Sequence, residues 1–524
     1  MKRFMQYKHG RTEILDAHPF ISWLDADNVA LEDKLGFAPV MALFVMAFRD
    51  VNLWVLRFEE EAEEHFRSLI NGNTFEDEGH SRLFLHDWRC MGLDARLRWS
   101  ASDTLWWLFH SPDQERFREY GVEFVRFSVE DGGDPLLRFA HSEAGEACGM
   151  VFFSHSVHPA VALGEAQGKT YRYFGTEHLE RELSHVEHTE EDFVNQVLDE
   201  AGLAKAVDLG GRMFDVFHGI FDAFLDYAHT HVEGGTVPQA PADHGAHSCD
   251  LPRHPVEDLS GFAAPEGDVS SSAARLLAKL DARRAQAAAH PLYAWMREAS
   301  VPAADKLRRF MPLWSMDVLG YRDLNHFVFH YAKGASAHAR APEARLINAW
   351  VNELETHSGL FLRDWQALGL DERLGWSASE TLEFLFFDRA MDVHRHNIMR
   401  FMKLGLRHDH PSLRYWMMRA LEASGEAFFA NTRELARAAE ASGELAGPLD
   451  YLGDRHGGEH PERGVDLDAL LRGTFHAHEL DAEQLAVAEQ MIDVVFDSLE
   501  HQLDFSLEAA HSGRLDYSLA SAAE

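Results

Sequence analysis

Large apolar residues recur every three or four positions in several long stretches of the chain, which is the spacing that places them on one face of an α-helix. Residues 213–227 and 491–505 show this spacing clearly. Runs in which β-branched and polar residues alternate between turn signals, as they do in strands, are sparse. The pattern therefore predicts an all-α fold built from helical bundles.

The chain contains a long internal repeat. Residues 80–105 match residues 357–382 at 18 of 26 positions without a gap, and shorter matching motifs flank both segments at offsets of 272 to 278 residues. These motifs include His18-Pro19 with His290-Pro291, Arg49-Asp50 with Arg322-Asp323, and Glu146 with Glu422. A period this long indicates duplication of a whole globular domain rather than a solenoid array.

The duplication sets the expected domain boundaries. Residues 232–272, between the copies, are rich in proline, glycine, alanine and serine, which is typical of a linker or a long surface loop. We predict helical bundle domains at 1–231 and 273–512, followed by a polar tail at 513–524. We also expect the two copies to pack as an intramolecular pseudo-dimer.

The charge and hydropathy of the chain argue against nucleic acids and membranes as partners. The chain has 49 lysine and arginine residues against 86 aspartate and glutamate residues, a net charge of −37. Because phosphate backbones and anionic membranes attract clustered basic residues, neither a nucleic acid nor a membrane is expected as a partner. The longest apolar run, 37–48, is too short to span a bilayer, and the first residues lack the apolar core of a secretory signal. We therefore expect a cytoplasmic protein.

Sequence motifs exclude several kinds of chemistry. Cys90, Cys148 and Cys249 lie far apart and form no CxxC motif, so neither a disulfide scaffold nor a zinc ribbon is supported. Glycine-rich nucleotide-binding motifs, HExxH and GxSxG are also missing from the sequence. In contrast, 33 histidines in a carboxylate-rich chain make metal binding the chemistry to consider first.

Both copies carry a glutamate and a histidine four residues apart. The pairs are Glu76 and His80 in the first copy and Glu353 and His357 in the second. Residues four apart share a helix face, and apolar residues follow on that face, so each pair is expected to point into its bundle. Asp87 and Asp364, seven residues after the histidines, could hold them through the second ring nitrogen. The alternative is a structural ion pair that fixes the helix.

Further candidate metal ligands recur later in each copy. Glu146 and Glu422 lie among small and apolar residues, where a carboxylate needs a partner. The last helix carries His218 and Asp222 in the first copy, and Asp493 and Asp497 at the corresponding positions of the second. Carboxylates and imidazoles that converge inside a bundle are the ligands that iron or manganese requires. The more complete set is in the first copy: Glu76, His80, Glu146, His218 and Asp222.

Two other shared motifs could place residues beside such a site. Asp50 and Asp323 belong to an Arg-Asp-x-Asn motif that follows an apolar helix. They are expected either as acids near the pocket or as members of a buried polar network. His178 and His456 end a motif with tyrosine and glycine three to five residues earlier. They are expected either as ligand or lid residues, or as exposed histidines at a glycine turn.

This set of motifs resembles a known family. A helical domain that opens with His-Pro-Phe, then has E-x3-H, a lone glutamate and a final H-x3-D, resembles the haem-oxygenase-like di-iron oxidases. These share the seven-helix fold of haem oxygenase and thiaminase II. The resemblance implies two tandem domains of that fold and assigns Glu76, His80, Glu146, His218 and Asp222 as iron ligands. The sequence departs from the family at Leu225 and Asp493, where the family has histidines.

Two sibling activities of the same fold have less support in the sequence. A thiaminase needs a nucleophilic cysteine, but Cys90 and Cys148 correspond to alanine and serine in the second copy. A haem oxygenase needs a proximal histidine on the first helix, for which His18 and His290 are candidates. A His-Pro dipeptide, however, is typical of a helix start.

We therefore expect a non-haem iron-dependent oxygenase or oxidase that acts on a small organic substrate with O2. Its cofactor would be iron, as one or two ions, or manganese. The alternative is a non-catalytic tandem helical binding or scaffolding protein, in which the buried histidine and carboxylate pairs are structural.

Overall fold

A computed structural model describes most of the chain. The described residues are 1–59, 64–181, 193–245, 257–260, 262–263, 267–331, 336–354, 357–454, 466–513 and 515. Within these ranges all regular secondary structure is helical and there is no strand, which confirms the predicted all-α class. Parts of the predicted linker, nearly all of the predicted tail, and His456 lie outside the described residues.

The helices of the two halves follow each other in a similar order. In the first half they are α1 (Lys2–Asp16), α2 (Pro19–Asp25), α3 (Ala38–Val51), α4 (His65–Asp77), α5 (His80–Met91), α6 (Leu93–Leu97), α7 (Ala101–His110), α8 (Glu115–Glu130), α9 (Pro135–Gln167) and α10 (Glu200–Tyr227). In the second half they are α11 (Ser271–Ala288), α12 (Pro291–Arg297), α13 (Ala303–Phe310), α14 (Ser315–Asp323), α15 (Pro342–Leu354), α16 (His357–Ala367), α17 (Leu370–Leu374), α18 (Ala378–Phe387), α19 (Arg389–Arg407), α20 (Pro411–Ala441), α21 (Leu467–Ala477) and α22 (Ala482–Ser512). Short π-helical segments, Asn52–Leu56 and Leu324–Phe329, extend α3 and α14 at corresponding positions.

The chain forms two compact units. Unit 1 comprises Met1–Trp99, Trp107–Gln239 and Ser377–Phe386, and unit 2 comprises Ser100–Trp106, Ala240–Trp376 and Phe387–Glu524. In unit 1, α9 packs against α10 and α1 against both, while α3 packs against α5 and α8. In unit 2, α20 packs against α22 and α11 against both, while α14 packs against α16 and α19. The same packing therefore occurs twice, as duplication of one domain would produce.

Each unit includes a short segment that belongs, in sequence, to the other copy. In unit 1, Asp94 accepts hydrogen bonds from Ser379 through the backbone N (2.9 Å) and the hydroxyl Oγ (2.6 Å). In unit 2, Asp371 accepts the equivalent bonds from Ser102 at 2.9 and 2.5 Å. The units thus depart from the predicted bounds 1–231 and 273–512 at these two segments, because the repeated Gly-Leu-Asp motif of each copy binds the Ser-Ala-Ser motif of the other.

The sequence also fixes where these exchanged helices begin. In α7 the Ser100 backbone N–H donates to Asp103 Oδ2 (2.9 Å), and the Asp103 N–H donates to Ser100 Oγ (3.2 Å). Ser377 and Glu380 make the same reciprocal pair at α18, at 2.8 and 3.4 Å. Both are capping boxes, which satisfy backbone donors that a helix leaves unpaired in its first turn.

A buried aspartate in each unit holds the loop that follows the longest helix. Asp87 and Asp364 are fully buried, and each accepts three backbone N–H hydrogen bonds. The donors are Arg172, Tyr173 and Phe174 for Asp87, at 2.7–3.0 Å, and Asp450, Tyr451 and Leu452 for Asp364, at 2.5–3.0 Å. The expectation that Asp87 and Asp364 hold His80 and His357 is therefore wrong, because both carboxylate oxygens are engaged by this loop.

One helical stretch is long and apolar enough to cross a membrane by length and composition. It runs from Ala38 to Leu56 with a mean hydropathy of 1.5, and 67% of its most apolar stretch is buried inside the protein. Such burial is typical of a core helix in a water-soluble fold.

The Asp364 carboxyl predicts a particular pH dependence of stability. Burial is the largest influence and raises the pKa of Asp364 to about 7, against the opposing effect of its three N–H donors. Because the folded-state pKa lies above the unfolded value, the folded state holds this proton more tightly. The stabilisation from this group is complete below the unfolded pKa and is lost as pH rises towards about 7. Asn cannot titrate, so the stability advantage of wild type over Asp364→Asn should shrink by about 1–2 kcal/mol from about pH 5.5 to about pH 8.

Urea unfolding followed by circular dichroism at several pH values measures this difference. Asp281→Asn, at a side chain that is 70% exposed, removes the same charge elsewhere in unit 2 and serves as the control. An advantage of wild type that grows with pH would show instead that the three hydrogen bonds outweigh burial.

Candidate functional site

Unit 1 encloses a cavity of about 110 Å³ that is lined by side chains of α3, α4, α5, α8, α9 and α10. Most of its wall is aromatic or aliphatic. The titratable side chains in the lining are Asp77, His80, His141, Glu143, Glu146 and His178. A mainly apolar cavity with a few converging polar groups is the usual form of a small-molecule site.

Two histidines and an aspartate lie together at this cavity. His80 Nδ1 is 3.1 Å from His178 Nε2 and 3.8 Å from Asp77 Oδ1, and all three side chains are buried. His178 Nδ1 is 2.9 Å from the backbone oxygen of Tyr173. A carbonyl oxygen only accepts hydrogen bonds, so His178 carries its proton on Nδ1 and presents the lone pair of Nε2 to His80.

The loop that Asp87 holds is what places His178. Tyr173 donates its backbone N–H to Asp87 Oδ2 (2.8 Å), while its carbonyl receives His178 Nδ1. His178 is only 1% exposed, so the alternative of an exposed histidine at a glycine turn is wrong for this residue. Its counterpart His456 lies outside the described residues.

A second buried histidine lies in α9. His141 Nε2 is 3.2 Å from Asp131 Oδ2, and Arg138 Nε donates to the same oxygen at 2.8 Å. Burial alone raises the pKa of Asp131, but hydrogen bonds from His141 and Arg138 outweigh it and leave that pKa below its usual value. Burial also lowers the pKa of His141, which favours neutral imidazole with its proton on Nε2. His141 Nδ1 is buried without a hydrogen-bond partner, so it offers an acceptor at the cavity.

His141 and Asp77 are site residues that the internal repeat does not reveal. The candidate ligands predicted from the sequence recur in both copies, whereas the counterparts of Asp77 and His141 are Leu354 and Met417. The signal that could have found His141 is local: an arginine and a histidine three residues apart, seven and ten residues after an aspartate, within one apolar stretch.

Glu143 and Glu146, also in α9, complete the polar lining. Glu143 Oε2 accepts a hydrogen bond from Lys8 Nζ of α1 at 3.0 Å, and both side chains are buried. Glu146 is partly buried and lines the cavity, as its apolar sequence context predicted. Pairing with Lys8 offsets the cost of burying Glu143.

The structure does not bring Glu76 into the cavity. Glu76 is exposed, and its neighbour Asp77 lines the cavity instead. The spacing rule fails here because Glu76 and His80 are not on one continuous helix: α4 ends at Asp77, and α5 begins at His80 after two intervening residues. The bend turns Asp77 inwards and Glu76 to solvent.

His218 and Asp222 lie in a separate cluster with His18. His18 Nε2 is 3.2 Å from Asp222 Oδ1, and His218 Nδ1 is 3.6 Å from Asp222 Oδ2. Among the described residues this is the one group of three whose ligand atoms all lie within 4.8 Å of one another, a spacing that could hold a metal ion. His18 is buried, whereas His218 and Asp222 are about half exposed.

A hydrogen bond to His18 opposes metal binding there. His18 caps α2 by accepting the Phe20 backbone N–H at Nδ1 (3.1 Å), so a neutral ring has its proton on Nε2, which donates to Asp222. Burial lowers the pKa of His18, which favours the neutral ring. With Nδ1 accepting and Nε2 protonated, His18 has no free lone pair for a metal. His290 repeats the arrangement in unit 2, with Leu292 N–H (3.2 Å) and Asp504 (3.0 Å).

Unit 2 has a larger cavity of about 400 Å³. His357 and Glu422 line it, but Glu353 does not.

Asp493 and Asp497 lie outside this cavity and bind basic side chains of α11. Asp493 accepts a hydrogen bond from Lys279 (2.5 Å), and Asp497 accepts one from Arg283 (2.5 Å). Asp50 and Asp323 are buried and belong to neither cavity lining, a placement that matches the polar-network alternative.

Protein-family models give no match to this chain, and no curated protein is similar to it. The assignment of function therefore rests on the placement of these side chains.

The predicted five-residue iron site does not fit this placement. His80 and Glu146 line the cavity of unit 1, Glu76 is exposed, and His218 and Asp222 belong to the His18 cluster. His80 and His178 form a pair of nitrogens at the spacing of two ligands on one ion. Two nitrogen ligands at about 2 Å from one metal are about 3 Å apart at tetrahedral or octahedral angles. The 3.1 Å between His80 Nδ1 and His178 Nε2 has this length, and Asp77 Oδ1 lies 3.8 Å from His80 Nδ1, although the three ligand atoms do not all lie within 4.8 Å of one another.

His18 is expected to act as a helix cap and not as a metal ligand. His18→Ala should destabilise the protein by about 1–2 kcal/mol, since it removes the cap and a hydrogen bond to Asp222. His18→Asn keeps an acceptor for the Phe20 N–H and should recover about half of that loss or more. Neither substitution should change Zn²⁺ affinity.

Thermal unfolding and calorimetric titration with Zn²⁺ measure the two effects, with His218→Asn as the exposed control. A loss of Zn²⁺ affinity in both His18 variants would contradict the assigned proton on Nε2.

Proposed function

We propose that unit 1 is a metal-dependent oxidoreductase that acts on a small organic substrate in its cavity. The metal ion would be held by His80 and His178, and a shift of the Asp77 side chain, which lies 3.8 Å from His80, would complete the site. Iron is the expected metal, and manganese or a second iron ion are variants. The observation that carries the proposal is the pair of imidazoles 3.1 Å apart, in which the His178 lone pair is fixed by the Tyr173 carbonyl. A ligating histidine commonly donates its other N–H to such an acceptor.

The side chains of the cavity have distinct roles in this proposal. Asp77 contributes the negative charge that a divalent ion needs, and the Asp87-bound loop keeps the His178 ring oriented. Glu146 and the unprotonated Nδ1 of His141 can accept a proton from bound substrate or water. The aromatic wall excludes water and binds the apolar part of the substrate. Bound iron would supply the redox chemistry with O2.

The proposal applies to unit 1 and not to unit 2. His357 corresponds to His80, but Leu354 replaces Asp77 and the counterpart of His141 is Met417. Asp493 and Asp497, two of the expected ligands, are bound to Lys279 and Arg283. We place the enzyme in the cytoplasm, with O2 and a small molecule as its partners, on the basis of its charge and hydropathy.

A second candidate function is a non-catalytic binding protein. The His18 and His290 caps favour it, because they show that some histidine and carboxylate pairs in this fold are structural. In that case the cavity of unit 1 would bind its ligand without a metal ion.

Metal content decides between these functions. The chain is expressed in iron-supplemented medium, and iron, manganese and zinc per chain are measured by elemental analysis. Wild type should retain about one ion per chain, whereas Asp77→Asn and His178→Ala should bind it about 10- to 100-fold more weakly, as loss of a ligand or its support does. Glu76→Gln is the matched control, since it changes the adjacent, exposed carboxylate and should equal wild type.

Circular dichroism confirms that the variants are folded, and Asp77→Asn keeps the shape of the side chain in case His178→Ala is unstable. No bound metal in wild type, or equal loss from Glu76→Gln and Asp77→Asn, would rule out the metal site and favour the binding protein.

A further inference from the structure

The cavity of unit 2 is built differently from that of unit 1. Six aromatic side chains contribute to its lining: Trp314, Tyr321, Phe401, Phe428, Phe429 and Tyr451. Trp314 and Phe428 stack with ring centroids 4.2 Å apart, and Phe429 and Tyr451 meet edge to face at 5.2 Å. Trp314 is anchored by a hydrogen bond from its Nε1 to Ser506 Oγ (3.0 Å). The aromatic wall is therefore held in place by packing and by a polar anchor.

Asp317 places a carboxylate against this wall. Its Oδ1 accepts a hydrogen bond from Gln502 Nε2 at 2.7 Å, and its Oδ2 is bonded to His394 Nδ1. His394 is fully buried and its Nε2 has no hydrogen-bond partner, so a proton there would be buried without an acceptor. Asp317 is thus held by one imidazole and one amide.

The other charged groups of the lining have oppositely charged partners. Glu422 and Glu426 both bind Arg419, and Glu426 also binds Arg284 at 3.0 Å. Arg433 lies near the exposed Asp454, whose pKa is lowered mainly by Arg437 and to a smaller extent by Arg433. Among the described contacts, Asp317 is the lining carboxylate that meets no lysine or arginine.

A carboxylate that meets no lysine or arginine in such a cavity favours one class of ligand. Burial raises the pKa of Asp317 and outweighs the opposing effects of His394 and Gln502. A cation supplies the missing partner, and the faces of Trp, Tyr and Phe rings attract cations as well. The net charge of −37 further attracts cations and repels anions over longer distances.

This polar group is specific to the second copy. Asp317 corresponds to Phe44, which lines the cavity of unit 1, whereas the Asp77 of unit 1 corresponds to Leu354. The two copies therefore carry lining aspartates at different positions of the repeat, Asp77 in one and Asp317 in the other. Ligands of different chemistry are expected in the two units.

We propose that the cavity of unit 2 binds a small organic ammonium ion with an apolar body. The ammonium group lies at Asp317, and the apolar body packs against Trp314, Tyr321 and the other aromatic rings. The site requires no metal and does not rest on the function proposed for unit 1.

Calorimetric titration of the full chain with three probes of one shape tests the assignment. The probes are phenethylammonium, phenethyl alcohol and phenylacetate, which differ mainly in charge. The ammonium ion should bind at least about tenfold more tightly than the alcohol, and phenylacetate more weakly than either. Asp317→Asn should reduce the affinity for the ammonium ion to about that for the alcohol. The affinity for the alcohol itself should stay within about twofold of the wild-type value.

Two further variants make the result specific. Asp504→Asn removes the same charge from an exposed position of α22 and should leave all three affinities unchanged. Tyr321→Leu should lower the affinity for the ammonium ion by about threefold or more relative to the affinity for the alcohol. This variant tests the aromatic wall if Asp317→Asn does not fold. The proposal would be overturned if the alcohol or phenylacetate bound as tightly as the ammonium ion, or if the ammonium ion did not bind. Equal effects of Asp317→Asn and Asp504→Asn on its affinity would also overturn it.

Discussion

The buried carboxylates of Asp87 and Asp364 are the contacts on which both cavities depend. A carboxylate without solvent is costly by several kcal/mol, and only a set of well-placed donors makes its burial tolerable. Here three consecutive backbone N–H groups supply those donors, so the loop after α9 or α20 can take only one position against α5 or α16. Tyr173 and Tyr451 are fixed in the cavity walls by this contact, and His178 is fixed through Tyr173.

The sequence predicted the all-α class from patterns that the residues themselves carry. The helical period is a local pattern, and the duplication is seen by comparing one half of the chain with the other. Apolar context indicated burial for His80 and Glu146, which line one cavity, but the sequence left His178 open between a ligand or lid residue and an exposed histidine. The sequence did not show that Asp77, and not Glu76, lines the cavity. The prediction assumed one continuous helix, whereas α4 ends at Asp77 and α5 begins at His80.

Some polar residues have the same structural role in both units, and others differ between the two copies. Asp87 and Asp364 keep one structural task, as do the capping histidines His18 and His290. The groups inside the cavities have diverged, with Asp77 and His141 in one and Asp317 in the other. A shared scaffold with separate linings would let one chain bind two chemically different small molecules, as we propose. Residues unique to one copy are therefore more informative about ligands than residues common to both.

The exchanged segments have a consequence for the order of events during synthesis. Asp94 and its partner Ser379 are 285 residues apart in the chain. At about 5–20 residues per second, the ribosome makes Ser379 about 15–60 s after Asp94. Through that interval the first unit lacks one of its own helices, and the apolar surface that this helix covers stays open to chaperones or to another nascent chain. A message that stopped after the first copy would yield a bundle that is never completed.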